Sequence, residues 1–194
     1  SSQDGRDVDY SCPEDRPFFE SHGTSVSGLI ASVGMNAIGT SGVCPDCSLY
    51  PVRMIGGGGF GDSLSNALTF RSVVEAGADI INNSWGPGIS RFFPLSSSEL
   101  GAFSFARNSG RDGLGTLILF AAGNDTRNTN GDPYNRHADT ISVAASTNLD
   151  DWAVYSNYGN TVDIAAPSRG SAIARDSYGL VTTDVGGNSG YSND

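Results

Sequence analysis

The apolar positions of this chain alternate between helical spacing and the short runs that are typical of buried strands. A first helix from about residue 23 to residue 33 is predicted by apolar residues at i, i+3, i+4 and i+7, namely Val26, Leu29, Ile30 and Val33. A second helix is predicted to begin with Asp62 or Ser63 as its cap and to end at Gly77. Its expected inward face consists of Leu64, Ala67 and Leu68.

A third helix is predicted from a capping box formed by Ser96 and Glu99, and it ends near Gly110. Apolar runs predict strands at Leu49–Ile55, Ile80–Ser84, Thr116–Ala122, Ile141–Ala145 and Val162–Ala166. Because helices and strands alternate, the pattern indicates an α/β protein with a parallel sheet flanked by helices. Ligands of such sheets bind beyond the carboxyl ends of the strands.

Composition and charge narrow the class of protein. The 194 residues are within the size of one domain and show no shift in composition, so we expect 1–194 to belong to a single domain, of which the chain is the central part. The net charge is −10 and no Lys/Arg cluster is present to neutralise phosphates, so we expect no nucleic-acid partner. No apolar stretch approaches the roughly 18 residues of a membrane span, so we expect no membrane partner either.

Four motifs occur in one order along the chain, and they read HGTSVSGLIAS, NNSWG, LILFAAGN and YSNYGNTVDIAAPS. Together they resemble the subtilase family of serine endoproteases, from about His22 to Asp184. Two further segments, Gly110–Gly115 and Leu180–Asp184, are similar to stretches typical of its kexin and furin branch. The resemblance implies a subtilisin-like three-layer sandwich that hydrolyses peptide bonds with an Asp-His-Ser triad.

Two polar residues are the candidates for chemistry. His22 stands at the start of an apolar-periodic run, where the helix dipole favours the neutral imidazole that a general base needs. Asn124 follows an apolar strand in a Gly-Asn turn. The resemblance implies that His22 is the catalytic base and that Asn124 donates a hydrogen bond to the oxyanion. Without it, His22 is equally the first residue of a capped helix, and Asn124 is a turn residue.

Two segments are candidates for the substrate groove. Small residues let an extended peptide approach exposed backbone closely. The resemblance implies that a peptide is held between two segments, Gly59-Phe60-Gly61 and Ser84-Trp85-Gly86. The alternative for the glycine-rich segment is a flexible loop, and a phosphate-binding loop is excluded because no Lys follows it.

A third segment bears on specificity. Asp132-Pro133-Tyr134 is similar to the Asp-Gly-Tyr that places an acid in the first specificity pocket of the kexin and furin branch. A carboxylate there pairs with a substrate Arg or Lys. The chain departs from that branch at Gly88-Ile89-Ser90, where acidic residues are usual, so strict dibasic specificity does not follow. The alternative is a turn with a solvated Asp132.

The other two members of the triad do not match this sequence. An acidic stretch with Asp4, Asp7 and Asp9 precedes His22, but it contains no apolar strand and is more typical of a loop or a cation site. The nucleophile motif, Gly-Thr-Ser followed by small residues and Pro, does not occur. We therefore expect other segments of the same protease domain to supply the Asp and the Ser. The chain alone would be inactive and would expose apolar side chains of Ile118, Phe120, Ile141 and Val143.

Two rival functions remain open from the sequence. One is a non-catalytic relative, either a pseudoprotease or a peptide-binding module, which would use the same groove without the missing Asp and Ser. The other, a different α/β hydrolase, is disfavoured because no Gly-x-Ser-x-Gly elbow occurs.

Cysteines and charge indicate the compartment. Cys44 and Cys47 favour a local disulfide over a redox or zinc site, since no second Cys pair or His cluster accompanies them, and Cys12 is left over. The acidic charge is compatible with a secreted or extracellular protein that binds structural calcium. Catalysis itself is expected to need no cofactor.

Overall fold

The computed structural model describes residues 21–56, 59–87, 93–169 and 179–184. The chain divides into two compact units, one made of Ser1–Gly59 with Val181–Asp194 and the other of Phe60–Leu180. That 1–194 is the central part of a single domain stays a prediction.

Helix α1 spans Ser21–Ala31, so it begins and ends about two residues before the predicted bounds. The chain folds back over its carboxyl end and satisfies carbonyl groups that a helix terminus leaves without intrahelical donors. The backbone N–H groups of Gly42, Val43 and Cys44 donate, in that order, to the carbonyls of Ser32, Leu29 and Ile30 at 2.9, 3.0 and 2.8 Å. The predicted local disulfide between Cys44 and Cys47 is confirmed. Cys12 lies outside the described residues.

The predicted strand Leu49–Ile55 is wrong. Two two-residue strands, β1 (Ile55–Gly56) and β2 (Gly59–Phe60), are all that form here, and they pair in a two-stranded sheet. A buried strand needs a hydrogen-bonded neighbour and a covered face. The apolar side chains of this segment are instead exposed among the described residues, namely Leu49, Tyr50, Val52 and Ile55.

Helix α2 spans Ser63–Glu75, and Asp62 is its cap, as predicted. The Asp62 Oδ1 atom accepts a hydrogen bond from the Ser65 N–H at 2.8 Å, which holds the pKa of this exposed carboxyl below its usual value. The predicted inward face is only partly right, because Leu64 and Leu68 are exposed. The buried residues of this helix are Asn66, Ala67, Phe70, Val73 and Val74, so only Ala67 of the predicted face is buried.

The remaining elements form an α/β layer. In chain order they are β3 (Ile80–Asn83), α3 (Ser97–Ser109), a 3₁₀ turn (Gly110–Gly113), β4 (Leu117–Ala121), β5 (Thr140–Ser146) and β6 (Ile164–Pro167). The capping box at Ser96 and Glu99 is confirmed. The strands pair in the order β3-β4-β5-β6, and every pair is parallel. The predicted α/β class with a parallel sheet flanked by helices is therefore confirmed.

Helices α2 and α3 cover one face of this sheet. Phe70 of α2 and Phe103 of α3 meet edge to face at 5.1 Å, and both pack on Phe120 of β4. The expectation that Ile118 and Phe120 are exposed is therefore wrong, since each is 1% exposed. Ile141 and Val143, on the opposite face, are half-buried.

The opposite face is called the open face, because three of its apolar side chains are about half exposed in the described part of the chain. Side chains alternate between the two sides of a strand, so the register places Ile80, Leu117 and Ile164 together on the face away from Phe120. They are 58%, 46% and 51% exposed, in that order. No helix in the described part of the chain is long and apolar enough to cross a membrane.

Candidate functional site

His22 is an exposed residue in the first turn of α1. The turn that follows it is tied to residues near the end of the described chain. Thr183 Oγ1 donates to the Thr24 carbonyl at 2.8 Å, and Thr182 Oγ1 donates to the Ser25 carbonyl at 2.5 Å. The Ser25 hydroxyl donates in turn to the Thr183 carbonyl at 3.2 Å. The backbone that presents His22 is therefore anchored by side chains distant in sequence.

Gly28 allows this close approach. A Cβ at Gly28 would collide with the Thr183 hydroxyl and would lie 2.7 Å from the Thr183 backbone nitrogen. A glycine is therefore required at this position of the HGTSVSGLIAS motif, because α1 and the 182–183 segment are in contact there.

Asn124 lies on an exposed turn just beyond β4. The strand runs on through Ala122, whose N–H donates to the Val143 carbonyl at 2.9 Å. Gly123 then reverses the chain with φ +102°, a conformation that favours glycine. The turn presents the Asn124 carboxamide to solvent at the carboxyl end of a central strand.

Asn157 is a buried residue next to the Asn124 turn that the sequence does not single out. It is 2% exposed, and its side chain bonds to the backbone on both sides of Asn124. It lies in the YSNYGN motif, which contributes to the family resemblance. The contact between Asn157 and the Asn124 turn is visible only in the structure.

The segment Ser84–Gly86 follows β3, and its side chains are half-buried. The Trp85 ring meets the Phe120 ring edge to face at 5.1 Å and the Tyr134 ring at 5.4 Å. This aromatic cluster fixes the segment to the sheet and to the loop after β4.

The other groove segment is only partly described. Gly59 and Phe60 form β2, and Gly61 precedes the cap of α2. An extended backbone here is what a groove edge needs. Its contact with substrate stays a prediction.

Asp132 is 4% exposed. Its Oδ1 atom accepts hydrogen bonds from the N–H groups of Tyr134 at 2.9 Å and Asn135 at 3.2 Å, which closes a turn. The alternative of a solvated Asp132 is therefore wrong, because the carboxylate is buried. A substrate cation would have to be met by the other oxygen, Oδ2, since Oδ1 holds the loop.

A buried carboxylate, Glu99, joins this loop to α3. Its Oε2 atom accepts from the Ser96 N–H at 2.9 Å, and its Oε1 atom accepts from the Tyr134 hydroxyl at 2.7 Å. Burial acts to raise the pKa of Glu99, but these hydrogen bonds outweigh it and hold the pKa below its ordinary value. Burial and the bond to Glu99 raise the pKa of Tyr134, so its hydroxyl remains a donor.

The unit Phe60–Leu180 brings several predicted residues together. Strands β3 and β4 are parallel neighbours with Asn83 opposite Phe120, so Ser84–Gly86 and Asn124 follow at the same edge of the sheet. Tyr134 links the Asp132 turn to Trp85. His22 belongs to the other unit, and its place relative to Asn124 stays a prediction.

Among the described residues, no group of three or more His, Cys, Asp or Glu side chains is arranged to hold a metal ion. The acidic stretch with Asp4, Asp7 and Asp9 lies outside the described residues.

Comparison with known proteins gives a consistent picture. The model of the Subtilase family matches residues 1–192. A Calcium-dependent protease of Trichormus variabilis is 34% identical over 189 residues, which is 90% of this chain and 28% of that protein. An Extracellular protease of Xanthomonas campestris is 34% identical over 162 residues, with 78% and 26% covered.

Among solved structures, a protease from Pseudoalteromonas arctica matches with a TM-score of 0.65 and 31% identity. The match covers 78% of this chain and 44% of that one. The chain thus spans less than half the length of each of these three proteins.

Proposed function

Since the chain belongs to the subtilase family of serine proteases, we propose that it is the central part of a peptidase domain whose triad is completed by other segments. The complete protease, meaning this chain with the segments that carry the Asp and the Ser, would be an endopeptidase acting on proteins. The observation that carries this proposal is the exposed Asn124 on a fixed turn, at the same sheet edge as Ser84–Gly86.

In the proposed mechanism, the Ser hydroxyl attacks the carbonyl carbon of the scissile peptide bond. His22 accepts the hydroxyl proton and later delivers it to the departing amine, and water then releases the acyl group by the same steps. The Asn124 side-chain amide donates a hydrogen bond to the oxygen that becomes negative in the tetrahedral intermediate. The Asp would hold the His22 imidazole in the orientation and tautomer that accept the proton.

The test is the substitution Asn124→Leu in the complete protease, with kcat and KM measured on a peptide substrate. We expect kcat to fall and KM to change little, because the bond to the oxyanion forms only as the reaction proceeds. The magnitude known for the oxyanion-hole asparagine of subtilisin, a member of this family, is roughly 100- to 1,000-fold. A change confined to KM would mean that Asn124 shapes the groove and does not stabilise the oxyanion. A pseudoprotease would show no turnover before or after the change.

The open face of the sheet supports the proposal that further segments complete the domain. Ile80, Leu117 and Ile164 form an apolar surface, and covering such a side chain is worth about 1.5 to 3 kcal/mol. Hydrogen bonds from the Thr182 and Thr183 hydroxyls to α1 hold this part of the chain beside the helical turn that follows His22. A segment that continues from there with the nucleophile would start close to His22.

A preference for Arg or Lys before the cut is the finer proposal, as in the kexin and furin branch. The relatives reported above are bacterial proteases and do not support this branch. The proposed preference therefore rests on the buried carboxylate of Asp132 alone. We expect Asp132→Asn to reduce the ratio of kcat/KM for Arg over Leu substrates, because a charge-assisted contact is lost. A peptide-library profile with apolar residues before the cut in the unmodified protease would contradict the pocket role.

Secretion and structural calcium are further proposals. They rest on the similar proteins called Extracellular protease and Calcium-dependent protease, and on the net charge of −10. The described residues offer no cluster that fits calcium, so no catalytic step is assigned to it. If calcium is structural, a chelator should lower the melting temperature of the complete protease, and an unchanged value would contradict this.

A further inference from the structure

The turn that carries Asn124 is held by one buried side chain, Asn157. The Asn157 Oδ1 atom accepts two backbone hydrogen bonds, from the N–H of Asp125 at 2.8 Å and from that of Arg127 at 3.1 Å. These donors lie one and three residues after Asn124. Because Asn157 is 2% exposed, water cannot readily replace its oxygen as their acceptor.

The same side chain also holds the residues before Asn124. Asn157 Nδ2 donates to the Ala122 carbonyl at 2.9 Å, and the Asn157 backbone N–H donates to the Gly123 carbonyl at 2.9 Å. A Cβ on Gly123 would collide with Asn157 Nδ2, so the glycine is required by this contact as well as by its positive φ. One carboxamide therefore ties both flanks of the turn at once.

We propose that Asn157 is a positioning residue for the reaction, which sets the direction in which Asn124 presents its amide to the oxyanion. The proposal rests on the proposed function of Asn124. Asn157 is buried beneath the turn and bonds to its backbone, so it acts through Asn124. Stabilisation of an oxyanion depends on donors that are already in place, and a displacement of about 1 Å can cost on the order of 100-fold in rate.

The experiment is a double-mutant cycle in the complete protease, with kcat and KM measured for Asn157→Ala, Asn124→Ala and the double variant. We expect Asn157→Ala to lower kcat by about 10- to 100-fold with KM little changed. In the Asn124→Ala background, the same change should lower kcat by less than about threefold, because no donor remains to be positioned.

The cycle separates the two proposals. If Asn124→Ala leaves kcat unchanged, the proposed function of Asn124 fails. If Asn124→Ala lowers kcat but Asn157→Ala lowers it equally in both backgrounds, only the positioning role of Asn157 is overturned, since a general structural defect would act regardless of Asn124.

Two further variants guard against loss of folding. Asn135 is also buried, and its Oδ1 atom accepts from the Ser142 hydroxyl at 2.8 Å, away from the turn. Asn135→Ala should lower the melting temperature without the selective fall in kcat. Asn157→Asp has nearly the same volume and keeps the Oδ1 acceptor, but its second oxygen replaces a donor that faces the Ala122 carbonyl and the Asp125 carboxylate. It should also lower kcat, the fall should again disappear in the Asn124→Ala background, and a fall that persists there would overturn the proposal.

Discussion

The two faces of the β3–β6 sheet differ in what covers them, although both carry apolar side chains. On one face, Ile118 and Phe120 are almost fully buried under α2 and α3. On the other, the neighbouring residue Leu117 is nearly half exposed. Adjacent residues of one strand therefore have opposite environments. A run of consecutive apolar residues predicts a strand that is buried on both faces. It does not show which segments of the protein bury each face.

The covered face is not uniformly apolar. On β5, two of the residues that point to this side are Thr140 and Ser142, and both are buried. The loop after β4 satisfies them, since Thr140 Oγ1 donates to the Tyr134 carbonyl and the Ser142 hydroxyl donates to Asn135 Oδ1. A loop with polar groups packs on β5, while aromatic side chains of α2 and α3 pack on β4. On the open face Ile80, Leu117 and Ile164 are apolar, so an apolar cover would stabilise it.

A paired substitution should show whether the open face is covered in the complete protease. Phe120→Ala removes a fully buried ring and should lower the free energy of unfolding by about 3 to 5 kcal/mol. Leu117→Ala should cost about 2 to 5 kcal/mol if other segments bury Leu117, since it would then leave a cavity. The free energy of unfolding of each variant would be measured by urea unfolding of the complete protease.

The outcome for Leu117 decides the comparison. A cost below about 1 kcal/mol would mean that this side chain stays exposed and that no segment covers it. A matched control is the 194-residue chain itself. It should associate or bind a hydrophobic dye through its open face, and a monomeric, cooperatively folded chain without either property would contradict the proposed completion.

A smaller change in the free energy of unfolding is expected when Glu99, beside the covered face, is substituted. Its pKa in the folded state lies below the ordinary value of 4.5, so ionised Glu99 stabilises the fold above about pH 4.5. This stabilisation is lost as the pH falls through the lower folded-state pKa. Glu99→Gln should therefore be less stable than the unmodified protease near neutral pH, and the difference should shrink in acid.

The measurement is the urea midpoint between about pH 3 and pH 7. Glu75→Gln is the control, because Glu75 is an exposed carboxylate that pairs with Arg71 on the surface of α2. An equal pH dependence of the two variants would mean that the bonds from Ser96 and Tyr134 do not stabilise ionised Glu99.

The parts of the fold that were predicted correctly depend on local chemistry. The cap at Asp62, the capping box at Ser96, and the Cys44–Cys47 disulfide join residues three positions apart. Strands β3 to β6 were found because their apolar runs are bounded by turn residues. By contrast, Leu49–Ile55 is rich in apolar residues but has no partner strand in the described part of the chain beyond the β1–β2 pair, and it does not form the expected strand.

The sequence by itself determined the family, the parallel α/β class and the candidates His22 and Asn124, because short motifs and local periodicity carry that information. Only the tertiary structure decided that Asn157 clamps the Asn124 turn, that Tyr134 joins Glu99 to the Asp132 loop, and which face of β4 is buried. The hydrogen bonds of Asn157 to the turn and of Tyr134 to Glu99 join residues 32 and 35 positions apart. The physical reason is that a hydrogen bond or a buried face depends on which distant segments fold against each other, and no local pattern records that pairing.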